Sequence, residues 1–145
     1  MSRAFLYTGI ILIIISLSVS CTTEEIRYQV AFYNLENLFD TIDTRGVRDT
    51  EFTPGGDKKW NTRRYQKKLD NMASVIVDMA DEEQLEAPAI LGLCEMENRD
   101  VLEDLVNTSP LNDFDYRIVH EHSPDRRGID VALIYRPKYF NVAHF

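Results

Sequence analysis

The sequence lacks several features that would assign it to a class at once. It contains only two cysteines, Cys21 and Cys94, and it has no internal repeat and no low-complexity tract. The glycine pair at residues 55–56 is not followed by Lys-Ser or Lys-Thr at the spacing of a phosphate-binding P-loop, which excludes that class of nucleotide-binding protein. Basic residues are in deficit: 16 against 24 acidic side chains give a formal charge of −8, which argues against a protein that binds long nucleic acid.

The first twenty residues have the pattern of an export signal. Arg3 precedes an almost wholly apolar segment, residues 4–19, which as a helix would span about 24 Å, less than the ~30 Å core of a bilayer. The pattern predicts a signal peptide over residues 1–20 rather than a membrane span. The small residues before Cys21 resemble a bacterial lipoprotein signal. That resemblance implies an exported protein, lipidated at Cys21 and anchored in the bacterial cell envelope at the outer membrane or cell surface. The alternative is plain secretion, with Cys21 incidental.

Hydrophobic spacing predicts one α/β domain in residues 22–145. The clearest pattern is a single apolar stripe that runs from Leu69 to Ala80 at helical spacing. The predicted elements are strand 26–33, loop 41–61, helix 64–83, strand 89–94, helix 100–107, strands 116–120 and 129–135, and a further strand at 139–145. This order is typical of a layered α/β fold with a mixed sheet.

Carboxylate and amide groups follow two of the predicted strands. Asn34 and Glu36 stand two residues apart, so in an extended strand end they would point to the same side. Glu95 ends the strand predicted at residues 89–94. If the two strands are neighbours, these side chains converge, and hard oxygen ligands of this kind suit Mg²⁺. The alternative interpretation is that they are strand-end polar residues that only satisfy loop backbone.

Three segments together resemble the endonuclease/exonuclease/phosphatase family, the fold group of DNase I. They are Tyr-Asn-Leu-Glu-Asn-Leu-Phe-Asp at residues 33–40, Gly-Leu-Cys-Glu-Met-Glu-Asn at 92–98, and Ser-Pro-Asp-Arg-Arg-Gly-Ile-Asp-Val-Ala-Leu-Ile-Tyr-Arg at 123–136; Trp60 and the Arg-Tyr pair at 64–65 add to them. The resemblance is nearest to secreted bacterial members. It implies a DNase I-like α/β sandwich, with helices flanking a mixed sheet. Residues 22–145 would supply about half of this four-layer fold.

The resemblance also implies roles for individual residues. Glu95 matches the glutamate that ligates Mg²⁺ (or Mn²⁺), Glu36 matches an acidic position close to the metal, and Asn34 matches a first-strand asparagine of the catalytic centre. Cys94 stands where the family usually has glutamine. Arg127 would contact a phosphate oxygen; the alternative is a loop surface charge. The implied chemistry is metal-assisted hydrolysis of a phosphodiester or phosphomonoester.

The Gly-Asp-x-Asn and Ser-Asp-His motifs that complete this machinery do not occur in the 145 residues. His120 and His122 could share one face of a strand and hold a metal, or they could be surface or loop histidines. We therefore expect the N-terminal part of a phosphoesterase, truncated and inactive alone, with an apolar sheet face left for a C-terminal complement or for aggregation. The alternative is a non-catalytic, lipid-anchored binding module. A phosphate ester is the expected substrate class, its identity is open, and nothing in the sequence supports stable nucleic-acid binding.

Overall fold

The computed structural model describes residues 26–80 and 85–144. The predicted signal peptide and Cys21 lie outside the described residues. Within these residues the strands are β1 (Val30–Leu38), β2 (Ile90–Met96), β3 (Arg117–Glu121) and β4 (Asp130–Tyr135), the α-helices are α1 (Thr62–Asp78) and α2 (Arg99–Val106), and the 3₁₀ turns are Thr50–Phe52 and Leu111–Phe114. Neither helix of this described part has the length and apolarity required to cross a bilayer.

The sheet confirms the predicted α/β fold with a mixed sheet. β1 pairs in parallel with β2, and β4 pairs antiparallel with both β2 and β3, which gives the order β1-β2-β4-β3. The core lies between one sheet face and the two helices, with Leu91 and Ile134 of the sheet fully buried. Because of the strand directions, the ends of β1, β2 and β3 and the start of β4 meet at one edge of the sheet. This edge carries the candidate site.

Both helices begin directly after an asparagine. The Asn61 side chain accepts a hydrogen bond from the backbone N–H of Arg64, and the Asn98 side chain accepts one from Val101. Such caps satisfy backbone donors that have no partner within the helix. The buried positions of α1 follow the predicted helical stripe: Tyr65, Leu69, Met72, Ala73 and Ile76. The Asn98 cap also places α2 immediately after the strand end that carries Glu95.

The prediction for the first strand is wrong at both ends. The strand covers Val30–Leu38 rather than residues 26–33. It continues because the pairing with β2, interrupted after Asn34, resumes between Leu38 and Met96. The segment from residue 35 onwards, which we expected to leave the strand, is therefore part of it.

Two further predicted boundaries are also wrong. The long helix ends at Asp78 rather than near residue 83, and the Gln29 side-chain amide donates a hydrogen bond to the Met79 carbonyl (2.5 Å), which satisfies a group at the helix end. No strand forms in described residues 139–144. Instead, the backbone N–H groups of Tyr139 and Phe140 both donate to the Arg136 carbonyl, which folds the chain into a turn.

The sheet face opposite the helices is apolar and open to solvent in the described chain. Phe32 is 85% exposed, Val30 59% and Val131 54%. The Phe32 ring lies over Gly92, where an added β-carbon would clash with the ring. Exposed apolar surface of this kind marks an interaction face or an aggregation liability. That a C-terminal complement or aggregation covers this face stays a prediction.

Candidate functional site at the strand ends

The candidate site lies on a bulge in β1. Asn34 pairs with Cys94 of β2. The next pair is Leu38 with Met96, so three residues of β1 face a single residue of β2. Glu36, inside this bulge, has a φ of 48°, in the left-handed region. The expectation that Asn34 and Glu36 point to one side assumed an extended strand end, and the backbone is not extended at this bulge. That the two side chains converge with Glu95 stays a prediction.

Glu95 is the residue that the β1 bulge faces, and it is bulged itself. Its neighbour Cys94 pairs with Val131 of β4, and its other neighbour Met96 pairs with Asp130. Since residues 130 and 131 are adjacent, Glu95 has no opposing residue in β4. Its φ is 61°, a conformation that costs a non-glycine residue about 1–3 kcal/mol and that clusters at functional sites. Both glutamates predicted as metal ligands thus have backbone conformations that a regular strand would not give them.

Two side chains stabilise the β1 bulge. The Asn34 Oδ1 atom accepts a hydrogen bond from the Glu36 backbone N–H (2.7 Å). From α1, the Lys68 ammonium donates to the carbonyl oxygens of Glu36 (2.6 Å) and Asn37 (3.2 Å). Asn37 also has a positive φ of 61°. These bonds offset the strain of two successive left-handed residues and tie the bulge to the helix behind it.

Lys68 also interacts electrostatically with both predicted ligands. Burial lowers the pKa of Lys68 below its ordinary value, and the charges of Glu36 and Glu95 oppose this effect by raising it. One ammonium therefore lies within electrostatic reach of both carboxylates. No role in the site was predicted for Lys68, because it stands on the polar side of a helix, where lysine is ordinary. Only the docking of α1 against β1 reveals its position.

A basic pocket of about 370 Å³ opens beside Glu36. Three cationic side chains of the first half of α1 line it, Arg64, Lys67 and Lys68. Trp60 forms part of the wall, and its indole N–H donates to the Phe39 carbonyl (3.0 Å). The pocket therefore has excess positive charge although the whole chain is acidic, and an anion would be attracted to it.

Arg127 lies in the loop between β3 and β4 and is exposed. Its guanidinium forms two hydrogen bonds with the Asp125 carboxylate, at 3.0 and 3.2 Å. This pairing raises the pKa of Arg127 and lowers that of Asp125, and the more distant charge of Glu95 adds to the rise. Arg127 therefore lies at the sheet edge that carries Glu95. The guanidinium that was predicted to contact a phosphate is paired with Asp125 instead.

A histidine–aspartate cluster occupies the other end of the same sheet edge. The Asp130 Oδ2 atom lies 2.8 Å from both His120 Nε2 and His122 Nδ1, and the backbone N–H of Ser123 donates to Oδ1 (2.8 Å). Both histidines were candidate ligands in the sequence, whereas no role was predicted for Asp130. The missed signal is the antiparallel pairing of the strands, which brings a residue ten positions away beside the first histidine. Within the described residues, this is the one group of three close metal-ligating side chains.

Glu97 belongs to the same acidic segment as Glu95 but has a different role. Its side chain is buried and accepts hydrogen bonds from the Asp40 backbone N–H and from the Thr44 hydroxyl, both at 2.9 Å. Burial raises the pKa of Glu97 above its ordinary value. These contacts fasten the start of the loop that follows β1. Glu97 is therefore a structural carboxylate, whereas Glu95, in the same segment, is the candidate metal ligand beside the β1 bulge.

Comparison with known proteins gives one match. The model of the Endonuclease/Exonuclease/phosphatase family matches residues 29–145, which is most of the chain. No curated protein and no solved structure matches the chain. The matched region contains both bulges, the basic pocket and the histidine–aspartate cluster.

Proposed function

We propose that this chain, which belongs to the endonuclease/exonuclease/phosphatase family, is a phosphoesterase domain that holds a Mg²⁺ ion on Glu95 and Glu36. The observation that supports this proposal most directly is the pair of facing bulges, which give both glutamates a positive φ beside one shared cation. The donor set fits the ion, because Mg²⁺ prefers carboxylate oxygens and retains several waters. Mn²⁺ takes similar ligands. When bound, the ion would polarise the phosphate and stabilise the leaving oxygen.

The residues around the glutamates have supporting roles in this proposal. Asn34 fixes the conformation of Glu36 through its hydrogen bond to the backbone, and Lys68 limits the repulsion between the two carboxylates. The basic pocket would receive the anionic part of the substrate, with Arg64 and Lys67 at its wall. A small, highly charged phosphate ester fits these features better than a long nucleic acid, since the chain is acidic overall.

We expect metal binding and hydrolysis to be separable in this chain. Hydrolysis also needs a group that activates water, and the family motifs that supply it, Gly-Asp-x-Asn and Ser-Asp-His, do not occur in the sequence. The chain would therefore bind Mg²⁺ while hydrolysing simple phosphate esters slowly or not at all. Rapid Mg²⁺-dependent hydrolysis of p-nitrophenyl phosphate or its diester, lost in Glu95→Ala, would contradict the expected inactivity but support the proposed reaction.

The decisive experiment measures Mg²⁺ binding through thermal stability. At ten times its dissociation constant, an ion that binds only the folded state adds about 1.4 kcal/mol, which raises Tm by roughly 5 °C in a chain of this size. We expect this shift in the purified full chain, in detergent if required, and its loss in Glu95→Gln. Glu121→Gln is the matched control, because Glu121 is an exposed strand-end glutamate away from the bulges. A Tm that Mg²⁺ leaves unchanged would contradict the proposal and favour the non-catalytic binding module.

We propose further that the chain is exported and lipidated at Cys21. The support is the Arg3 and apolar-segment pattern that ends in small residues before this cysteine. Expression in a Gram-negative host with labelled fatty acid should label the wild-type chain and not Cys21→Ser, with both forms exported. Equal labelling of the two forms, or none in the wild type, would contradict lipidation.

A further inference from the structure

We propose that His120, His122 and Asp130 form a second metal site that binds a divalent transition metal of the Zn²⁺ type. The ligand atoms of the three residues all lie within 4.8 Å of one another. Both ring nitrogens approach the same oxygen, Asp130 Oδ2, at 2.8 Å. This site is separate from the proposed magnesium site in both its residues and its donor chemistry.

The strand pairing fixes the positions of these ligands. His120 pairs with Ala132 in the β3–β4 ladder, so it lies on the same sheet face as Asp130, which stands two residues before Ala132 in β4. His122 follows the end of β3 and turns back towards the same carboxylate. Ser123 locks this turn, because its backbone N–H donates to Asp130 Oδ1 and its hydroxyl donates to the Ile129 carbonyl (2.7 Å). Two of the three ligands therefore sit on rigid strands.

The burial of the cluster is graded from the interior to the surface. The side chains of Asp130 and His120 are 3% and 7% exposed, whereas that of His122 is 80% exposed. A buried carboxylate is costly unless a cation or hydrogen bonds compensate its charge. The solvent-facing imidazole provides a route by which an ion can reach the carboxylate and leaves coordination positions open to water. The arrangement matches a site with protein ligands on one side and solvent on the other.

The donor set selects the class of ion. Two imidazole nitrogens with one carboxylate oxygen suit Zn²⁺, Fe²⁺, Ni²⁺ or Cu²⁺, whereas Mg²⁺ prefers oxygen ligands alone. Ligand bonds of about 2.0–2.2 Å around one ion place neighbouring donor atoms roughly 3.3–3.6 Å apart at the tetrahedral angle and about 2.8–3.1 Å apart at a right angle. The observed separations of 2.8 Å are hydrogen-bond lengths that also match two ligands at a right angle. The exposed His122 side chain can move to a wider angle without disturbing the core, whereas the buried His120 and Asp130 already have the separation of two ligands at a right angle.

The experiment measures Zn²⁺ binding to the purified full chain by competition with a chromogenic chelator. We expect one tight site in the wild type and at least about 100-fold weaker binding in His122→Ala, because a ligand is lost. Since His122 is exposed, this variant should keep its circular dichroism spectrum. His144→Ala is the matched control: it removes the chain's remaining histidine, which is exposed and distant in sequence from the cluster, and should bind like the wild type.

Two further measurements separate this site from the proposed magnesium site. Glu95→Gln should lose the Mg²⁺-induced change in Tm but keep its Zn²⁺ affinity, and excess Mg²⁺ should not displace Zn²⁺. Co²⁺ bound at the site should give visible absorption bands that are absent in His122→Ala. Equal Zn²⁺ affinity in the wild type and His122→Ala, or no tight Zn²⁺ in the wild type, would overturn the proposal and leave the cluster as a hydrogen-bonded His–Asp pair.

Discussion

Replacing Asn34 by alanine tests whether this residue acts through Glu36 or contacts the ion and substrate itself. The change removes the Oδ1 acceptor of the 2.7 Å hydrogen bond to the Glu36 backbone. A hydrogen bond of this kind contributes about 1 kcal/mol net, and it supports a left-handed residue whose conformation costs a similar amount. Without it, the equilibrium constant between Glu36 in place and Glu36 displaced should fall about fivefold, since 1.4 kcal/mol corresponds to a factor of ten. The apparent affinity for Mg²⁺ should fall by up to the same factor.

The assay is a double-mutant cycle on Mg²⁺ binding, followed by isothermal titration calorimetry. Asn34→Ala should weaken binding about fivefold in the wild-type background and have no further effect in Glu36→Gln, because both changes then remove the same interaction. Asn34→Asp keeps the acceptor oxygen and should retain binding. A full additional loss in Asn34→Ala/Glu36→Gln would show that Asn34 has its own contact and would refute the reasoning. An Asn34→Asp variant as weak as the alanine variant would refute it as well.

Glu97, Trp60 and Phe32 have contacts whose contribution a single substitution can measure. Because burial raises the pKa of Glu97, the native state binds the proton of this carboxyl more tightly than the unfolded chain does. The stability that this group contributes is fully present below its ordinary pKa of 4.5 and is lost as pH rises through the raised native pKa. Glu97→Gln should therefore flatten the pH dependence of the free energy of unfolding, measured in urea, over this pH range. Trp60→Phe should lower the free energy of unfolding by about 2–4 kcal/mol in urea titrations, since it leaves a cavity and deprives the Phe39 carbonyl of its indole donor. Phe32→Ser should reduce self-association in light scattering, because Phe32 is 85% exposed on the open sheet face.

Each of these predictions has a control and a contradicting outcome. Glu121→Gln, at an exposed glutamate, should keep the wild-type pH dependence of stability. If Glu97→Gln keeps this dependence too, the buried Glu97 carboxylate does not cause it. A Trp60→Phe variant within about 0.5 kcal/mol of the wild type would mean that the indole hydrogen bond contributes nothing. Val75→Ser removes an exposed apolar side chain of α1 and should leave self-association unchanged. Equal scattering from Phe32→Ser and the wild type would exclude the open face as the cause.

The parts of the fold that follow from local pattern could be predicted from the sequence. The spacing of Leu69, Met72 and Ile76 predicted α1, and the apolar segments around Leu91 and Ile134 predicted the two central strands. The strand-end position of the acidic motifs was also visible. The boundaries of the elements were harder to predict, because side chains remote in sequence contribute to where an element ends. Gln29, for example, precedes β1 but binds the Met79 carbonyl at the end of α1.

The parts of the site that depend on long-range pairing could not be predicted. Glutamate has no preference for a left-handed backbone, so the bulges at Glu36 and Glu95 arise from how β1 and β4 pair with β2 rather than from local sequence. Lys68 and Asp130 were missed for a related reason. Each is ordinary in its own segment, and its significance comes only from the element packed against it.

The wall of the basic pocket has a consequence for observing the protein. Trp60 is the only tryptophan in the chain, so all indole emission comes from this one wall of the pocket. The Arg64 guanidinium and the Lys68 ammonium lie over its ring, at 5.4 and 5.8 Å from the centroid. An anion that draws these cations away from the indole would change the wavelength and yield of its fluorescence. The chain therefore carries an intrinsic optical reporter of pocket occupancy, against which inorganic phosphate and candidate phosphate esters can be ranked without any label.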